Sequence, residues 1–93
     1  MTMEISKNAD LSRYEIRVDG ALAGFAQYRL SGRRAAMPHT EIAPAYEGRG
    51  FGSELVRWAL DDIRASGLKV VPLCWFVAAF IRHNPEYADL VEA

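Results

Sequence analysis

Six consecutive residues, Glu47-Gly48-Arg49-Gly50-Phe51-Gly52, carry three glycines at alternate positions and one positive charge. Glycine lacks a Cβ, so such a turn can take positive φ and bring its backbone N–H groups close to a ligand. Apolar residues then recur at helical spacing, Phe51, Leu55, Ala59 and Ile63 with Val56 and Leu60 beside them. The unpaired N–H groups of that helix start, those around Ser53 included, face the same place as the loop. Donors and the positive end of the helix dipole together favour a phosphate, the dipole alone contributing about 0.3–1 kcal/mol. A strand-to-helix turn that binds nothing has the same local signature. The common nucleotide fingerprints do not fit. No Gly-Lys-Ser/Thr follows, and the third glycine of a dinucleotide motif would fall on Ser53 or Leu55.

Three further residues could do chemistry. Met37, His39 and Glu41 alternate along a strand expected before the loop, so His39 and Glu41 share one face and either could deprotonate a nucleophile. The plainer reading pairs them with each other, or with Arg33 or Arg34, on a solvated face. Cys74, the only cysteine, could act as a nucleophile if a neighbouring histidine stabilised its thiolate. The plainer reading is a small hydrophobe of a type that cores commonly bury. Two histidines far apart and one cysteine do not suggest a metal site.

The elements that must hold these residues follow from spacing and turn chemistry. A short strand is expected over Glu4 to Lys7, closed by Asn8-Ala9-Asp10. Arg13 to Val18 alternates polar and apolar, and Asp19-Gly20 supplies the positive φ of a type I′ turn, so the chain hairpins into a strand over Ala21 to Leu30. Gly24 marks a bulge there. After the Ser31 to Arg34 turn, Ala35 to Ile42 returns as a strand and completes an antiparallel meander. A helix over Phe51 to Ser66, stopped by Gly67, leads to an apolar strand over Lys69 to Cys74. This strand-helix-strand unit places the last strand parallel to Ala35 to Ile42. Pro72 leaves one side of that strand unpaired. Phe76 to His83 forms a short helix, with Trp75, Phe76 and Phe80 in the core, and Asn84 caps a final turn begun by Pro85. The fold class is α/β, one domain over residues 1–93.

Ile42-Ala43-Pro44-Ala45-Tyr46-Glu47-Gly48-Arg49-Gly50-Phe51-Gly52, followed by an amphipathic helix, resembles the acetyl-CoA motif of the GNAT-type N-acetyltransferases. Gly50 and Gly52 match that family's glycines, and Glu47 stands where Arg or Gln is usual. His39-Thr40-Glu41-Ile42, Val71-Pro72-Leu73-Cys74 and His83-Asn84-Pro85-Glu86-Tyr87 resemble its small single-domain branch. The resemblance implies acetyl-CoA as co-substrate, held by residues 47–53 with main-chain N–H groups near Ile42 and Ala43 polarising the thioester carbonyl. It implies an amine as acetyl acceptor, on a small molecule or a protein, with His39, Glu41 and Cys74 as candidates for the chemistry. The strands flanking the motif helix would splay apart to admit the pantetheine arm. The tyrosine acid found on the last helix of many relatives is missing, since Phe80, Ile81 and Arg82 stand there. A CoA-binding module without catalysis, acting through a partner protein, is the alternative. A homodimer or partner could supply the substrate wall that larger relatives build from further strands.

Composition sets outer bounds. Hydrophobic residues at 51% and charged residues at 25% describe a globular chain, and a net charge of -1 gives no electrostatic footprint for nucleic acid or a membrane surface. The longest apolar run, Val70 to Ile81, contains Pro72 and falls short of the roughly 20 residues a bilayer span needs. A lone cysteine and an N-terminus without signal-peptide layout point to the cytoplasm.

Overall fold

The computed structural model describes residues 1–92. β1 (Met3–Asn8), β2 (Arg13–Val18) and β3 (Ala21–Gln27) form an antiparallel meander that β6 (Thr40–Ile42) extends on the far side of β3. The β2–β3 turn has the expected type I′ geometry, with Asp19 at φ 50° and Gly20 at φ 85°. The register shifts between Ile16 and Arg17, where Ala23 is the extra residue, so the bulge lies beside Gly24. Gly24 serves close approach, because a Cβ there would lie 2.5 Å from the Glu41 carbonyl oxygen.

The two long strands expected from sequence each divide. β3 ends at Gln27, and β4 (Arg29–Ser31) pairs with β5 (Arg34–Ala36) in a second sheet. The strand expected over Ala35 to Ile42 is likewise two pieces, β5 and β6, separated by Met37, Pro38 and His39. Pro38 has no N–H to continue a ladder. On one side of it, Met37 N–H donates to Val71 O in the second sheet; on the other, His39 O accepts from Gln27 N–H in the first. The change of sheet also breaks the period of two: Met37 is fully buried, whereas His39 and Glu41 are exposed.

α1 (Phe51–Ala65) crosses from β6 to β7 (Lys69–Val71), which lies parallel to β5 with Ala35 opposite Val70. The helix ends one residue short of expectation, with Ser66 as C-cap and Gly67 at φ 73°. It buries Phe51, Leu55, Val56, Ala59, Leu60 and Ile63 against Tyr14, Ile16, Ala23 and Ala26 of the meander. β7 stops at Val71, immediately before Pro72, and is flanked on both sides: Val91 bridges to Val70, and Glu92 N–H donates to Val70 O. That tail pairing has no signature in the sequence.

α2 (Trp75–His83) follows, then a 3₁₀ turn over Pro85–Leu90. Asn84 does not cap that turn with its side chain; its amide donates back to Phe80 O at 2.8 Å and its carbonyl accepts from Arg57 at 3.2 Å. Phe80 is buried as expected, but Trp75 is 78% exposed. No helix is long and apolar enough to cross a membrane among the described residues.

Candidate functional site

β5 and β7 run together only as far as Ala36 and Val71, after which Met37 and Cys74 hold one last bond, Cys74 N–H to Met37 O at 2.9 Å. Beyond it the chains part. β6 turns to β3, and the chain after Cys74 turns into α2. The gap is a cleft of about 500 Å³ lined by Thr40 and Ile42 on one wall and by Trp75 and Phe76 on the other, with Tyr46 and residues 47, 48 and 50–53 across its end.

β6 presents free backbone to this gap. Ala43 N–H donates to Ala23 O at 2.8 Å and Gln27 N–H donates to His39 O at 2.9 Å, so residues 39, 41 and 43 turn their backbone groups toward β3. By the alternation of an antiparallel ladder, the N–H groups of Thr40 and Ile42 point the other way, into the splay. Of the two amides expected to polarise a carbonyl, Ile42 is therefore open, and Ala43 is engaged in the sheet.

The glycines divide their labour. Gly48 and Gly50 sit at φ 75° and 82°, the left-handed region that other residues reach only with strain. Gly50 is the N-cap of α1 and offers no side-chain oxygen to the helix start. The first intrahelical bond is Glu54 N–H to Gly50 O, leaving the amides of Phe51, Gly52 and Ser53 without helical acceptors. Gly52 is helical and serves a different purpose: a Cβ there would lie 2.8 Å from Phe76 Cζ, so its absence lets α2 close on α1. Arg49 is exposed, its guanidinium 5.7 Å from the Phe51 ring. Glu47 is exposed at the cleft mouth.

His39 and Glu41 come together, Nε2 to Oε2 at 3.9 Å, with His39 leaning on the Phe25 ring at 6.0 Å. Glu41 lines a second cleft described below, and His39 lies outside the walls of both. Cys74 is 8% exposed, and its sulfur lies 3.7 Å from the Thr40 hydroxyl, so its side-chain neighbour is Thr40 and not a histidine. It is the N-cap residue of α2, and its side chain makes no capping hydrogen bond to that helix. Burial pushes the thiol pKa up, but the nearby backbone amides of Val77 and Phe76 and the Thr40 hydroxyl, to which the thiol donates, outweigh it and leave the pKa below the ordinary thiol value.

Tyr87, the tyrosine nearest the missing acid, is turned away from the cleft. Its hydroxyl donates to Asp61 at 2.7 Å, and burial followed by that carboxylate raises its pKa. Thr40, Tyr46, Trp75 and Phe76 line the cleft without having been singled out as site residues from sequence. Tyr46 was within reach as part of the loop motif. The two aromatics read as core because apolar type carries no information about which side of a short helix faces a gap.

Comparison with known proteins agrees with this architecture. The GCN5-related N-acetyl-transferase family profile matches residues 13–90. Human protein NATD1 is 36% identical over 59 residues, covering 62% of this chain and 52% of that protein, so the chain spans about half the length of this curated relative. Streptothricin acetyltransferase of Streptomyces lavendulae is 39% identical over 54 residues, 56% of this chain and 29% of that enzyme. The solution structure of a GCN5-like protein from Staphylococcus aureus superposes with a TM-score of 0.74 over 97% of this chain and 88% of that one, at 20% identity, a likeness of fold alone. A mixed α/β fold with splayed central strands, together with a family match across residues 13–90, makes this chain a member of the GCN5-related N-acetyltransferase family.

Proposed function

We propose that the chain binds acetyl-CoA in the splay and transfers its acetyl group to an amine. The observation that carries this reading is the uncapped start of α1, where Gly48 and Gly50 turn a set of unpaired amides onto the end of a cleft. Those amides, with Arg49 beside them, suit the pyrophosphate. Thr40 and Ile42 offer backbone groups to the pantetheine amides, and the Ile42 N–H is the donor available to the thioester oxygen. In direct transfer a deprotonated amine forms the C–N bond, the thioester C–S bond breaks, the nitrogen gives up a proton through water to His39, and CoA leaves as a thiolate that is then protonated. Ligands that bind only the folded state stabilise it by mass action, about 2.7 kcal/mol at a hundred times Kd. Thermal unfolding should therefore shift upward with acetyl-CoA, and release of free CoA should accelerate when amines are added. Binding without turnover on any acceptor would favour the non-catalytic CoA-binding module.

The position of Cys74 where the strands part, its sulfur 3.7 Å from the hydroxyl of cleft-lining Thr40, together with its lowered pKa, favours a second route. Its thiolate attacks the thioester, CoA departs, and the acetylated sulfur then yields the acetyl group to the amine, restoring the thiolate. Acetyl-CoA alone would leave a hydroxylamine-labile acetyl mass on the protein, and Cys74→Ser would lose adduct and turnover together. Direct transfer leaves no adduct, and Cys74→Ala retains most activity. The thiolate state has its own measurement: alkylation by iodoacetamide should reach half its limiting rate at a lower pH than for a free cysteine, and Thr40→Val should move that midpoint up.

A further inference from the structure

A second cleft, about 470 Å³, lies over β3 and meets the first along β6. Its walls are Leu22, Phe25 and Pro44, with Glu41 and Glu47 at the rim, and it shares Thr40, Ile42 and Glu47 with the splay. The floor is close-packed backbone, where Gly24 lets β3 approach the Glu41 carbonyl. Leu22 is 37% exposed, so the wall is apolar surface open to solvent. No lysine or arginine lines this cleft. The cation over its Phe25 wall, Arg13 at 4.5 Å from the ring, is held by Glu15 through a 2.8 Å hydrogen bond.

Two clefts sharing an edge suit a two-substrate reaction, with the transferred group at the common residues. Given the reading of the splay as the acetyl-CoA seat, on which this step rests, we infer that the second cleft receives the acceptor and selects amines that carry a further positive charge on a short apolar chain. The chemistry follows from the walls. Leu22 and Phe25 cover methylene groups, and the carboxylates of Glu41 and Glu47 attract a remote ammonium while disfavouring a carboxylate. Glu47 thereby has a use in the position where the family motif has Arg or Gln: at the boundary of both clefts its charge faces the acceptor.

The test uses three acceptors with the same primary amine on about the same chain: 1,4-diaminobutane, butylamine and 4-aminobutyrate. Their remote ends are a cation, a methyl group and a carboxylate. With the whole chain and saturating acetyl-CoA, kcat/KM should fall in that order, the diamine exceeding aminobutyrate by about a hundredfold, mostly through KM. Glu47→Lys combined with Glu41→Gln should erase or reverse the ratio. Because the ratio compares acceptors on one protein, it cancels whatever the substitutions do to acetyl-CoA. An unchanged ratio in the double variant, or a wild-type preference for butylamine or aminobutyrate, would overturn the inference while leaving the cofactor seat intact. Failure of the wild type to bind acetyl-CoA in calorimetry would remove that seat and the inference with it. Both substituted side chains are exposed, and circular dichroism checks that the variant remains folded.

Discussion

The two ends of α1 are built on opposite terms. At its C-terminus the carbonyls of Asp62, Ile63 and Arg64 are tied: Ser66 N–H donates to Asp62 O, Gly67 N–H to Arg64 O and Leu68 N–H to Ile63 O. Arg64 reaches across to both carboxylate oxygens of Asp89 and to Glu86 O, Lys69 to Asp89 O, and the Tyr87 hydroxyl to Asp61. At its N-terminus there is no side-chain cap, two preceding glycines sit at positive φ, and the neighbouring strand edge is unpaired. One helix thus satisfies its polar groups where it must hold the fold and leaves them open where a ligand can complete them. Backbone groups left without partners carry a cost in stability that a bound anion can offset.

The largest effect should come from closing the open end. Gly50→Val puts a β-branched residue at φ 82°, which the loop cannot keep, so the amides lose their common direction. Acetyl-CoA should then give no thermal shift at a concentration that stabilises the parent by about 2.7 kcal/mol. An undiminished shift would break the contrast. At the closed end the matching change, Gly67→Ala at φ 73°, should cost about 1–2 kcal/mol of stability, roughly 4–16 °C in Tm, and leave acetyl-CoA affinity unaltered. Loss of affinity there would mean that the two ends are coupled.

Tyr87→Phe should cost about 1 kcal/mol, because Asp61 loses its buried donor. The sign of its pH dependence follows from the raised pKa. The tyrosine's contribution is full below the ordinary tyrosine pKa near 10 and is lost as pH rises through its higher folded value. Urea unfolding of both proteins should therefore give a constant difference through neutral pH that narrows only in strong base. The smallest effect belongs to Arg64→Ala. Its bonds to Asp89 are solvent-exposed, so Tm should move by no more than about 2 °C, and less still in high salt. A drop comparable to that of Gly67→Ala would show the surface network holding the tail more firmly than exposed pairs usually do.

What could be read from the chain alone is what neighbouring residues decide between themselves. Asp19-Gly20 dictates its turn, the spacing from Phe51 to Ile63 dictates α1 and its buried face, and Gly67 dictates the stop, because each depends on φ preference or on a period within one element. The loop of residues 47–53 was legible for the same reason. Tertiary structure decided the rest. Pro38 announces an interruption but not that the chain changes sheets there, which buries Met37 and leaves His39 and Glu41 in solvent. The sequence places Gly52 in a glycine-rich loop, but only the approach of Phe76 from a helix more than twenty residues on gives it a packing role. Trp75 is apolar by type and 78% exposed by position, because it begins a helix at the rim of a gap. Cys74 meets Thr40, and not a histidine, across a splay created by two strands choosing different partners. Local rules fix which element forms; which face of it meets a neighbour is fixed only when all the elements compete for the same core.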